Sequence, residues 1–244
     1  MTKPTTKKVL LFLVEGPSDA AALEHVMQQL LDPAKIRFHA LRADITAMRQ
    51  PAGKSIKTAV NDVVCRFIKA YRLHPQDIAM VAHLMDTDGA FVPSSAVHGD
   101  NRMQGFRYTE TDITGPTVQA VLDRNSTKSR QMLTLAGMAQ TFRNIPYRAL
   151  FCSRNLEHVL HNISRECTPD EKMALSDQFH DRFASCPQDF LRFISTVPPA
   201  VPVDGFTSSW QYISAPDSLH SLQRNCNLHI LLHQLGEEMG RILP

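Results

Sequence analysis

The stretch KKVLLFLVEGPSD, residues 7–19, decides the fold, because an apolar run ends there in an acid and a turn. Residues 9–14 are all apolar, which is the pattern of a parallel strand buried on both faces. Glu15 follows directly, Gly16 allows a sharp turn, and Pro17 suits the first position of a helix. The stretch predicts a buried strand that delivers an acid to its end and then enters a helix.

The chain repeats this alternation of strand and helix. The segments KIRFHALRA (35–43), DIAMVAHLMD (77–86) and IPYRALFCS (145–153) read as strands, and apolar spacing over 56–67 marks an amphipathic helix. This order predicts an α/β fold with a parallel sheet flanked by helices. A polar insert at about 92–126 interrupts it, as either a long loop or a short ordered unit.

The rest of the chain predicts mainly helices. Apolar positions favour a helix over 126–144, and a capping box at 168–171 starts another. Apolar residues between Leu219 and Met239, mostly leucines, mark the last helix. The prolines of 197–210 predict a linker or an extended segment. We therefore divide the chain into an α/β domain at 1–165 and a mainly helical C-terminal extension at 166–244.

Composition sets limits on the function classes. The chain has 244 residues and a net charge of +2, which is too small to indicate nucleic acid or membrane binding by itself. Its five cysteines form no CxxC pair and are odd in number, which argues against a disulfide framework or a zinc ribbon and favours the reduced cytoplasm. The first apolar run is too short for a signal peptide or a membrane span.

Acidic side chains follow two of the predicted strands. Glu15 ends the first strand, Asp86 and Asp88 end the third, and Asp19 lies one turn into the adjoining helix. Ligands of parallel α/β sheets bind at the carboxyl ends of the strands. If the two strands are neighbours, their carboxylates repel one another, and Mg²⁺ would relieve that repulsion. Singly, each acid has a simpler reading: a solvated cap, a favourable helix-dipole charge, or a turn residue.

Together these motifs resemble a known domain. LVEGPSDAAAL followed by HLMDTDGAF is similar to the TOPRIM domain of topoisomerases, bacterial-type primases and nucleases of the OLD (overcoming lysogenization defect) family. The Glu-x-x-x-Asp spacing favours the OLD-like branch. YRALFCSRNLEHVLHN also resembles a later motif of that branch, with Glu157 at its acidic position. The resemblance covers roughly residues 8–163 and implies a Rossmann-like sheet.

The resemblance implies metal-dependent phosphodiester chemistry, in a nuclease of DNA or RNA that serves in defence against phage. Glu15 would act as general acid or base or as a metal ligand, Asp86 and Asp88 would hold Mg²⁺ or Mn²⁺, and Asp19 and Glu157 would support a second ion. OLD-type enzymes usually carry an ATPase. Because PAGKS at 51–55 is too short for a phosphate-binding loop, a separate ATPase partner would have to supply it.

A nuclease also needs cations for the phosphates around the cut. The candidates for nucleic-acid contacts are Lys54, Arg102, Arg107, Arg124 and Arg130. Lys128 is our candidate for the cation near the transition-state charge, with a solvated position at a helix N-terminus as the alternative. Phe106 and Tyr108 stand between arginines, where they would either stack on bases or anchor the insert.

Other functions stay open at this point. The main alternative is a catalytically silent TOPRIM module that binds nucleic acid or a protein partner through the same surface. A primase or topoisomerase reaction ranks last, because the usual partner domains are missing from the sequence. A homodimer is compatible with either function, and no membrane partner is expected.

Overall fold

The computed structural model describes residues 7–43, 45–46 and 54–239, and its centre is a four-stranded parallel sheet. The strands are ordered β2-β1-β3-β7 and every adjacent pair is parallel. They are β1 (Lys8–Val14), β2 (Ile36–Arg42), β3 (Ile78–Asp86) and β7 (Tyr147–Cys152). The predicted α/β fold, a Rossmann-like parallel sheet flanked by helices, is confirmed.

Helices cover both faces of the sheet. They are α1 (Pro17–Leu30), α2 (Ile56–Ala70), α3 (Val118–Ala136), α4 (Leu156–His161), α5 (Pro169–Phe183), α6 (Pro187–Ile194), α7 (Phe206–Ile213) and α8 (Leu228–Met239). Successive side chains of a strand point to opposite faces. Accordingly, Leu10 and Phe12 share a core with α1, α5, α6 and α8, whereas Leu11 and Leu13 pack with α2, α3 and α7.

The C-terminal helices take part in the first of these cores. Phe179 of α5, Phe190 of α6 and Leu231 of α8 are buried in the same cluster as Phe12 of β1. The extension is helical, as expected, and it packs directly against the sheet domain. The proposed boundary at residue 165 stays a prediction.

The polar insert is an ordered unit rather than a long loop. It contains a small sheet of β4 (Val97–Gly99), β5 (Arg107–Tyr108) and β6 (Ile113–Gly115), in the order β4-β6-β5. Val97 and Ile113 pack against Val121 of α3, and Phe106 and Tyr108 rest on this cluster. The aromatic pair therefore anchors the insert, which was one of its two predicted roles.

The predicted bounds of two helices were wrong. Helix α3 runs from Val118 to Ala136 instead of 126–144, because the Thr117 hydroxyl caps it by accepting the amide of Ala120 at 3.0 Å. The polar run 123–131 separates its first apolar residues, at 118–122, from those that begin at Met132, so the helix start was missed. The last helix begins at Leu228 rather than Leu219, because the backbone of Cys226 forms a β-bridge with Cys152 at the end of β7 and is therefore extended.

The linker prediction over 197–210 holds only for its first part, because α7 starts at Phe206. The capping box of α5 is confirmed. Glu171 accepts the amide of Thr168 at 2.8 Å, and the Thr168 hydroxyl accepts the amide of Glu171 at 3.3 Å. In the described part of the chain, none of the helices combines the length and apolar character that a membrane-spanning helix needs.

Gly89 tests how tightly the turn after β3 packs against Ile113 and Leu222. It has φ +67°, and an added Cβ would lie 2.7 Å from side-chain carbons of Ile113 and of Leu222. We expect Gly89→Ala to lower the free energy of unfolding by about 1–3 kcal/mol, through backbone strain and this contact. Gly105→Ala is the matched control, because no atom lies within 4 Å of its added Cβ. Urea denaturation measures both, and equal midpoints would contradict the described turn.

Candidate functional site

Glu15 and Asp86 meet at the carboxyl edge of the sheet, because β1 and β3 are parallel neighbours. The amide of Asp86 donates to Glu15 Oε1 at 3.2 Å, and the hydroxyl of buried Thr46 donates to the same oxygen at 2.7 Å. Two donors thus fix one carboxylate oxygen of Glu15. The predicted meeting of the two strand ends therefore occurs.

Asp88 and Lys128 complete the first half of the site. Asp88 adopts a left-handed backbone with φ 45°, in the turn that follows β3. Lys128 is buried on α3, pairs with Asp88, and its Nζ lies 3.8 Å from Glu15 Oε2. Our alternative of a solvated helix N-terminus is wrong for Lys128, because α3 begins at Val118 and the lysine stands in its middle.

The charges of these groups perturb one another. Burial raises the pKa of Asp86 well above its usual range, and the neighbouring charges of Glu15, Asp19 and Asp88 raise it further. Burial alone would lower the pKa of Lys128, but the charges of Asp88, Glu15 and Asp86 outweigh it and raise the pKa. Lys128 is therefore a permanent cation among acids that one ammonium group cannot all neutralise.

Asp19 and Glu157 form the second half of the site. Asp19 is buried and accepts a hydrogen bond from the amide of Gly16 at 2.7 Å. It therefore also stabilises the N-terminus of α1, which was the simpler role considered for it. Burial, followed by the charge of Glu157, raises the pKa of Asp19. The acid of the third motif therefore lies within electrostatic reach of the first motif.

Lys172, on α5 of the C-terminal extension, is a site residue that sequence reasoning missed. Its Nζ lies 3.3 Å from Glu157 Oε2. Although burial would lower its pKa, the charges of Glu157, Asp86 and Asp19 raise it. One signal was present in the sequence: a lysine near the first turn of a helix opposes the helix dipole and calls for a nearby acid.

The donor chemistry of the cluster suits a hard divalent cation. Carboxylate oxygens are the ligands that Mg²⁺ and Mn²⁺ prefer. Glu157 Oε2 is buried and has no aligned hydrogen-bond donor within the described residues, although Lys172 lies close to it. In the same ranges, no three acidic, histidine or cysteine side chains stand close enough to enclose an ion. Lys128 instead occupies the space between Asp88 and Glu15.

Arg124 supports the site rather than presenting its charge to solvent. It donates to the carbonyl of Asp88 at 2.6 Å and to the hydroxyl of Tyr108 at 2.5 Å. Its guanidinium also lies 4.7 Å from the ring centroid of Phe106. The arginine thereby ties the insert to the turn that carries Asp88.

Within the described residues, the remaining predicted nucleic-acid residues form no ion pair with the acids of the site: Lys54, Arg102, Arg107 and Arg130. Lys54 pairs with Asp62 at 2.7 Å, and exposed Arg102 pairs with Asp100 at 2.8 Å. The other two are exposed. Residues 51–53 of the PAGKS stretch lie outside the described residues.

No protein-family model, curated protein or solved structure matches the chain. The TOPRIM and OLD-like resemblance therefore rests on the quoted motifs and stays a prediction. The sheet and the clustering of the acids are independent of it, because they follow from the strand order and the contacts above.

Lys128→Met tests the charge balance of this cluster. The substitution leaves Asp88 and Glu15 without their cation, so we expect the free energy of unfolding to fall by about 2–4 kcal/mol. The loss should be smaller than for a fully buried ion pair, because Asp88 is partly exposed to solvent. Added Mn²⁺ should recover part of this loss. Arg130→Met is the matched control, since Arg130 lies exposed on the same helix. Equal stabilities of the two variants, measured by thermal unfolding, would contradict the described ion pair.

Proposed function

We propose that this protein is a Mg²⁺- or Mn²⁺-dependent nuclease that hydrolyses phosphodiester bonds of DNA or RNA. The observation that carries the proposal is the convergence of Glu15, Asp86 and Asp88, with Lys128 between them, at the carboxyl edge of a parallel sheet. Such edges are where α/β proteins bind ligands. An acid whose pKa is strongly raised by its surroundings, as that of Asp86 is, is also more common at functional sites than elsewhere.

The acids would hold the ions in two groups. Glu15, Asp86 and Asp88 would close on one ion after Lys128 moves away from Asp88, and Asp19 with Glu157 would support a second. When bound, Mg²⁺ or Mn²⁺ supplies Lewis-acid stabilisation of the phosphate and lowers the pKa of a coordinated water. The physical reason for this assignment is that burial and the mutual repulsion of these carboxylates raise the pKa of Asp86, and a bound cation would relieve both effects.

Glu15 and Lys128 are the residues to which we assign roles in the chemistry. Thr46 and the amide of Asp86 fix Oε1 of Glu15, which leaves Oε2 directed toward Lys128. From there Glu15 can accept a proton from the attacking water. Lys128 can leave Asp88 and donate to a phosphate oxygen as negative charge develops on it, in a site that is already largely desolvated.

The biological setting belongs to the proposal as well. The resemblance to OLD-like proteins suggests an effector of defence against phage, located in the cytoplasm and controlled by a separate ATPase. Five free cysteines, including the buried pair Cys152 and Cys226 with sulfur atoms 3.9 Å apart, suit a reducing compartment.

One observation favours the alternative of a catalytically silent module. Lys128 pairs with Asp88, as an ammonium group would in a site that has lost its chemistry. Such a module would bind nucleic acid or a protein through the same edge. Cleavage and binding assays on one set of variants separate the two functions.

Cleavage assays test the nuclease proposal. The substrates are plasmid DNA and tRNA, with Mg²⁺, with Mn²⁺, or with EDTA, and with or without a candidate ATPase. We expect metal-dependent cleavage that Glu15→Gln and Asp86→Asn each reduce by at least about 100-fold, because each change removes a general base or a ligand. Asp177→Asn is the control, since Asp177 is exposed on α5.

The outcomes separate the site from the function. Cleavage that survives both acid substitutions would rule out this site. Absence of cleavage by the wild-type chain under every condition, together with retained binding of the nucleic acid, would favour the silent module.

A further inference from the structure

Arg154 is a buried cation beside the candidate site and was not among its predicted residues. It follows β7 and is only 4% exposed. Its amide donates to the hydroxyl of Thr87 at 2.9 Å, and its carbonyl accepts the amide of Asp88 at 3.0 Å. The backbone of Arg154 is thus fixed to the turn that carries the acids of β3.

The guanidinium of Arg154 has few partners. Its Nη2 donates to the carbonyl of Tyr108 at 3.4 Å, and the ring centroid of Tyr108 lies 5.7 Å from its central carbon. Nη1 is buried without a hydrogen-bond partner among the described residues, which also place no carboxylate within 4 Å of this side chain. Burial lowers the pKa of Arg154, although the charges of Tyr108 and Glu110 act against this shift.

Such an arrangement is unfavourable unless a ligand offsets it. An arginine stays charged at any physiological pH, and burial of a charge that lacks an anion is costly. Arg154 also holds φ 58°, a left-handed conformation that is uncommon for residues other than glycine. Strained backbone of this kind clusters at ligand-binding sites. Other arginines of the chain, such as Arg102 and Arg165, have carboxylate partners instead.

We propose that Arg154 binds a backbone phosphate of the nucleic acid, next to the phosphodiester bond that the acidic cluster cleaves; this rests on the proposed function. A guanidinium matches a phosphate with two parallel hydrogen bonds. The ties to Thr87 and Asp88 keep Arg154 at a fixed place relative to Asp86. The bound phosphate would therefore set which bond of the strand reaches the acids.

Tyr108 covers Arg154 and must yield to the phosphate. Its strand β5 has only two residues and belongs to the small sheet of the insert. The hydrogen bond at 3.4 Å is long, so two short charge-assisted bonds to a phosphate outweigh it. Beside Tyr108 opens a cleft of about 390 Å³, whose lining includes Phe106, Ser164 and Arg165. This cleft provides the path along which the nucleic-acid strand would continue beyond Arg154.

Nucleic-acid binding by the full metal-free chain tests the proposal apart from cleavage. A labelled single-stranded DNA and a labelled tRNA are titrated in EDTA, over a range of KCl concentrations. We expect Arg154→Met to weaken binding about 10-fold and to reduce the slope of log Kd against log salt by about one, because one phosphate contact is lost. Arg154→Gln should reduce the salt slope equally, because it also loses the charge. Its amide can still donate to the carbonyl of Tyr108, so this variant separates the loss of charge from the loss of that hydrogen bond.

Two further variants make the result specific. Arg154→Lys should keep the salt slope but bind several-fold more weakly, because a lysine lacks the paired donors. Arg192→Met is the control: Arg192 is exposed on α6 and paired with Asp189, so its loss should change Kd by less than about twofold. Thermal unfolding of each variant confirms that it is folded, and the lysine variant keeps the test open if the neutral variants fail to fold.

Several results would overturn this inference. An unchanged Kd and salt slope in the Arg154 variants would do so, as would a wild-type chain that binds neither nucleic acid. A parallel titration with inorganic phosphate distinguishes the two sources of the phosphate group. If the Arg154 variants lose affinity for inorganic phosphate but bind nucleic acid as tightly as the wild-type chain, the ligand is a free phosphate. Binding that depends on Arg154 in a chain that never cleaves would instead refute the nuclease function alone.

Discussion

The hydrogen bond from the Asp86 amide to Glu15 Oε1 is the contact on which the rest of the site depends. It exists because β1 and β3 are parallel neighbours, so two apolar strands end at one edge and deliver their acids together. Burial of both strands stabilises this pairing, and the pairing forces like charges into proximity. The hydrophobic core thus stabilises an electrostatically unfavourable cluster at its rim.

The sheet and its acids were predictable from the sequence because both depend on local patterns. A continuous apolar run fixes each buried strand, and an acid directly after the run must stand at its carboxyl end. Glu15 and Asp86 follow from that rule, and Asp88 lies two residues further on, in the turn after β3. Asp19 was also placed correctly, since the turn at Gly16 and Pro17 starts a helix beside Glu15.

The cations of the site were harder to predict because they come from distant segments. Lys128 was a candidate, but its burial has no local signal, because it lies in the continuous polar run 123–131 in the middle of α3. Lys172 reaches Glu157 only because α5 packs against the sheet domain. Arg154 carries no signal in its neighbourhood, since its burial results from the folded insert. Tertiary packing, rather than local pattern, decides which basic residues meet the acids.

Two lysines neutralise the acidic cluster only in part, at the place where a metal ion would complete the charge balance. Anomalous diffraction from a crystal of the wild-type chain soaked in Mn²⁺ tests this claim most directly. We predict an anomalous peak between Glu15 and Asp86, with the ammonium of Lys128 displaced from Asp88. A crystal without such a peak, in which Lys128 still pairs with Asp88, would contradict the account.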